Sequence, residues 1–162
     1  MAASVNNGGR GGMPWRVLGW GAAAALLLLP LVAMQFTNEV NWTVGDFIFA
    51  AILFGSVGLG FELIVRASDS LAYRAGAALA VIGAFLTIWV NGAVGMIGSE
   101  DNPYNLMFGG VLMIALIGSV VARFRPAGMA AAMLAASIAQ AVLSGLGFST
   151  DVRGAMFSMA FA

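Results

Sequence analysis

The chain has 162 residues, 61% of them hydrophobic, with seven Arg, seven carboxylates, no Lys, no His and no Cys. Charged residues make up 9%, against about 25% in soluble domains, and a net charge of zero leaves no basic footprint for nucleic acid. The missing Cys, His and Lys exclude disulfides, Cys/His metal sites, histidine relays and Schiff-base chemistry.

In chain order, residues 1–14 (MAASVNNGGRGGMP) are Gly- and Asn-rich and predict a flexible N-terminal tail. Five apolar segments follow, Val17–Phe36, Asp46–Val65, Ala72–Ile97, Pro103–Ala122 and Pro126–Phe148, each near the ~20 residues that cross a bilayer. Backbone groups in lipid must bond within their own segment, so the segments predict helices. The expected fold is therefore an all-α integral membrane protein: one domain over 15–148 forming a five-transmembrane-helix bundle, then a C-terminal tail, 149–162. Pro30 predicts a kink or a loosened outer third in the first span. Thr43 and Asp46 fit a capping box before the second, Asp69 or Ser70 can cap the third, Asn102-Pro103 opens the fourth and Pro126 the fifth.

Arginines set the orientation. Arg10, Arg16, Arg66, Arg74, Arg123 and Arg125 all fall on one side of a five-span chain, and only Arg153 on the other. The positive-inside rule then predicts a cytoplasmic N-terminus and a periplasmic C-terminus. The first span also has the shape of a signal peptide, which would leave four spans. Its hydrophobic region is long and Leu31-Val32-Ala33 is a poor cleavage site, which favours a retained helix.

Small residues at helical spacing predict packing faces: Gly55, Gly58 and Glu62 on the second helix; Ala80, Ala84, Thr87, Asn91, Gly95 and Gly98 on the third; Ser137, Gln140, Ser144 and Gly147 on the fifth. Three embedded polar residues are the site candidates. Glu62 could take a proton or a coupling ion, but Arg66 one turn on offers a local ion pair. Asn91 and Gln140 could line a polar path, or hydrogen-bond between helices. In the stretch WVNGAVGMIGSEDNPYN, residues 89–105, Ser99, Glu100, Asp101, Asn102 and Asn105 offer oxygen ligands for a hard cation, and the loop residues Glu100, Asp101 and Asn102 could instead dock a partner. The spacing is not that of an EF-hand, and each residue has a local role: Gly98 ending the third helix, Asn102 capping the fourth. No catalytic motif stands out, and neither a metal nor another cofactor is implied.

The stretches MQFTNEVNWTVGDF, WVNGAVGMIGSEDNPYNLM and ARFRPAGMA resemble a group of small multi-span inner-membrane proteins of Gram-negative bacteria that has no assigned activity. The resemblance covers about residues 30–130. It implies a bacterial inner (plasma) membrane location and carries over no site residue. The C-terminal STDVRGAMFSMAFA has no counterpart in that group, and its apolar part is too short to span. The expected function is a non-enzymatic accessory or scaffold subunit. Its partners would be the lipid bilayer and, through the small-residue faces, a homo-oligomer or larger membrane complex. The alternative is a small oligomeric transporter or channel using Glu62, Asn91 and Gln140.

Overall fold

A computed structural model describes residues 13–99, 101–148 and 151–162. All regular structure among them is helical. Six helices, α1 (Met13–Ala33), α2 (Val44–Ala67), α3 (Leu71–Ala93), α4 (Met107–Val121), α5 (Pro126–Gly147) and α6 (Val152–Met159), are joined by loops and one 3-10 turn, Pro103–Leu106. Five stretches are long and apolar enough to cross a membrane: Arg16–Ala33, Val44–Ala67, Leu71–Ala93, Pro103–Val121 and Pro126–Gly147. Large apolar side chains such as Leu28, Ile52, Leu79, Ile117 and Ile138 point outward from them, as a lipid solvent allows. The expected tail, 1–14, lies outside the described residues except for its last two, which open α1.

The helix starts follow the local chemistry. At α2 the Thr43 N–H donates to the Asp46 carboxylate at 2.7 Å, and the Asp46 N–H returns to Thr43 Oγ1 at 3.4 Å, so the carboxylate sits at the positive end of the helix. Ser70 caps α3 through the Tyr73 N–H. Asp69 instead meets Arg74 at 3.0 Å. Asn102 Oδ1 accepts the Tyr104 N–H, and Pro103 takes the first position of the 3-10 turn, where no N–H is needed.

Two compact units divide the chain, residues 1–62 and 63–162. In the first, Trp20 of α1 lies over Gly58 of α2. A Cβ at Gly58 would come within 2.8 Å of the indole ring, so the missing side chain is what seats the tryptophan. In the second, α4 and α5 form a close pair. A Cβ at Gly118 would lie 2.6 Å from that of Ala132, and one at Gly128 2.5 Å from that of Ala122, so glycine sets the approach. The turn between them carries Arg123 and Phe124 at φ 50° and 55°, and the Tyr73 hydroxyl donates to Phe124 O at 3.0 Å.

Two expectations change here. The third helix ends at Ala93, not Ile97, so Gly95 and Gly98 are not on its face and Gly98 does not end it. Both glycines sit in the following loop at φ +74° and +73°. Side-chain acceptors compete here: Asn91 Oδ1 and Asn105 Oδ1 both take the Met96 N–H, at 3.2 and 3.0 Å, bonds that divert the backbone from the helical ladder. The second change is in the C-terminal segment. It contains α6, which folds back antiparallel onto α5 and buries Ala155 and Ser158. Ala155 meets the Gly147 position, Ser158 meets Ser144 and Gln140, and the Ala162 carbonyl accepts from Ser137. The expected packing face of α5 is thus covered by the chain's own end.

Candidate functional site

Glu62 lies in the turn before the last of α2. Its carboxylate accepts from both Arg16 Nε, at 3.2 Å, and Arg16 Nη2, and from the Trp20 indole N–H at 3.1 Å. Arg16 and Trp20 are one turn apart on α1, and Gly58 and Glu62 are one turn apart on α2, so the two faces match at i, i+4. Forked guanidinium on carboxylate is the strong form of this interaction. Glu62 keeps 23% of its side-chain surface exposed and Arg16 57%, so the clasp sits at an edge and is not sealed inside. Neither Arg16 nor Trp20 is readable as its partner from local spacing; both lie more than forty residues away.

The other candidates gather in the second unit around the 94–106 loop. Met96 and Ile97 are buried there with Phe108, against Val90, Tyr104, Leu143 and Phe161. Their backbone is satisfied by asparagines. Asn105 Oδ1 accepts from the Met96 N–H at 3.0 Å and the Ile97 N–H at 2.9 Å, while its Nδ2 donates to Ser99 O at 2.8 Å. Asn102 Nδ2 donates to Ile97 O at 3.0 Å. Gly95 permits the geometry: a Cβ there would lie 2.5 Å from Ser99 O and 2.6 Å from Asn105 Nδ2, and its φ favours glycine in any case.

Gln140 and Asn91 both reach this loop, at Met96. Gln140 is 1% exposed. Its Nε2 donates to Ser158 O at 3.1 Å and approaches Met96 Sδ at 3.9 Å, while its Oε1 is buried and makes no hydrogen bond. Below it the Ser144 and Ser158 hydroxyls lie 2.6 Å apart, with Gln140 O and Ala155 O as further acceptors. Of the loop candidates, Asn102 is turned inward to structural bonds, Asp101 is exposed, and Glu100 lies outside the described residues.

Asp151 closes the arrangement. It caps α6 through the Arg153 and Gly154 N–H groups at 3.1 Å, and its other oxygen accepts the Gly98 N–H at 2.9 Å. The Gly98 N–H first, then the Gly154 N–H, hold the carboxyl below the ordinary aspartate value; burial opposes them, and the backbone and charge of Arg153 add to the lowering. A folded-state pKa below the unfolded one stabilises the fold at pH above the unfolded value, and that contribution is lost as pH falls through the folded value. Wild type is therefore expected to resist unfolding by SDS better than Asp151→Asn at pH 6. The gap is expected to close below about pH 4, the ordinary aspartate range. A gap that is constant down to pH 3 would show that the Asp151 carboxylate does not tie the start of α6 to the Gly98 N–H.

Outside these polar groups, α4 and α5 enclose a shallow apolar groove lined by Gly110, Ile114, Ala139 and Val142 among others. It offers shape and no reactive group. Comparison with known proteins gives no family model, no curated protein and no solved structure that matches this chain.

Proposed function

We propose that the chain is a non-enzymatic accessory or scaffold subunit of a bacterial inner membrane, inserted with its N-terminus in the cytoplasm. The observation that carries this reading is a contrast between its polar and its small residues. Glu62, Asn91 and Asn102 bond to the chain itself and hold helices and loops in place. Gly55, Gly76, Gly83, Gly109, Gly110 and Gly145, by contrast, have open space where a Cβ would stand. Glycine inside a helix costs about 0.5–1 kcal/mol relative to alanine, and no neighbour among the described residues approaches these positions to repay it. In a bilayer such positions let a second helix approach. The sequence has no Cys, so single-cysteine variants report cleanly. Gly55→Cys, Gly83→Cys and Gly110→Cys, crosslinked in native membranes, are expected to give discrete adducts with a partner or a second copy. Recovery of monomer alone from all three would defeat the reading.

A transporter or channel is the second reading, and one observation favours it. α6 runs back beside α5 from Gly147 to Ser137, roughly 15 Å along a helix that rises about 1.5 Å per residue. In a bilayer α6 would be a re-entrant half-helix, an element that usually borders protein or a water-filled path, and here it ends near the unbonded Gln140 oxygen. Solute or ion flux in liposomes that disappears in Gln140→Met would support this reading. Identical flux in the two proteins would end it.

A further inference from the structure

We propose that the turn Arg123–Phe124–Arg125 is a headgroup site for an anionic phospholipid, with the two guanidiniums on the phosphate and Phe124 among the tops of the acyl chains. The turn lies at the junction of two apolar helices, where a lipid headgroup would meet the chain. All three residues are exposed, Phe124 at 50%. Among the described residues neither arginine meets a carboxylate. Arg74, in the same unit, behaves otherwise: its guanidinium is used on Ser68 O, Val65 O and Asp69. The turn thus presents two exposed guanidiniums side by side, neither held by a carboxylate among the described residues.

Backbone conformation gives the second argument. Two successive non-glycine residues at positive φ are unfavourable, and Gly in either place would relieve the turn. The conformation is nonetheless tightly held. The Arg123 N–H donates to Val120 O at 2.9 Å, the Phe124 N–H to Ser119 O at 3.0 Å and the Arg125 N–H to Ala122 O at 3.0 Å, and Phe124 O accepts from Tyr73. The backbone that carries two cations and an aromatic ring is thus fixed before any ligand arrives, which lowers the ordering cost of binding. Arginine suits the role, since its planar fork matches phosphate oxygens.

The test uses purified full-length chain in a neutral detergent, with phosphatidylglycerol and phosphatidylcholine of the same acyl chains, and binding read by native mass spectrometry. Phosphatidylglycerol is expected to bind more tightly. Each of Arg123→Gln and Arg125→Gln is expected to weaken it about fivefold and the double variant roughly 30-fold, from the usual contribution of one basic residue at an anionic membrane surface. The double Lys variant, which keeps the charge, is expected to retain most of the affinity and guards against a folding artefact. Arg153→Gln, in α6, is expected to bind as wild type does. Equal retention of the two lipids by wild type, or full affinity in the folded double Gln variant, would overturn the proposal.

Discussion

Asn105→Leu is expected to destabilise the protein by about 2–3 kcal/mol, read as a lower SDS concentration at half-loss of helical ellipticity. Asn105 is buried and its amide is the acceptor for the Ile97 N–H. Leucine leaves that buried donor unpaired, which costs about 1–3 kcal/mol, and removes the Ser99 and Met96 bonds as well. Met96 keeps a second acceptor in Asn91 Oδ1. Asn91→Leu combined with Asn105→Leu is therefore expected to cost more than the sum of the single variants, because only the pair strips the Met96 N–H of both acceptors. Strict additivity would mean that the two amides do not share that donor. Gln140 makes the opposite case although it is buried more deeply. Its Oε1 is already unpaired, and Ser158 O keeps the Phe161 N–H if Nε2 is lost. Gln140→Met, close in shape and without the orphan oxygen, is expected to stay within about 1 kcal/mol of wild type. That near-neutrality is what makes the same variant usable in a flux assay.

The second large effect is a gain. Ser144→Cys with Ser158→Cys is expected to form a disulfide under mild oxidation, since the two hydroxyl oxygens are 2.6 Å apart and the chain has no other cysteine to compete. Positions 144 and 158 close a loop of 14 residues, and a loop of that size is worth about 3 kcal/mol on the chain-entropy account. The checks are protection of both thiols from alkylation in the oxidised protein and a raised unfolding midpoint that reduction reverses. Free alkylation of both cysteines after oxidation would show that α6 does not lie along α5.

The sequence made the long helices legible and concealed how their ends are tied. Five apolar runs of spanning length, the Thr43–Asp46 box, the Asn102-Pro103 start and Ser70 all act over a few residues, so spacing exposes them. The end of α3 does not work that way. Met96 and Ile97 are apolar and continue the run, so composition extends the helix through them. What stops it is amide acceptors at Asn91 and at Asn105, the second of which arrives only when α4 packs. α6 is eight residues long, too short for periodicity to speak, and its place depends on small residues meeting small residues across a turn. For Glu62 local spacing offers Arg66 and gives no sign of Arg16 and Trp20, which come from another helix. Asn91 and Gln140 were legible as embedded amides, but their meeting at Met96 was not, because nothing in either helix alone specifies the loop between α3 and α4.

The return of α6 also bears on how the molecule can be handled. With the Ala162 carbonyl accepting from Ser137, a purification tag or topology reporter joined directly to Ala162 begins beside the middle of α5, not beyond its end. Its linker must either climb back along the helix or peel α6 away. An affinity handle inserted between α1 and α2, around Thr37 to Val40, leaves that contact undisturbed, and a sidedness assay built on a fusion at Ala162 needs a linker long enough to clear α5 with α6 still in its seat.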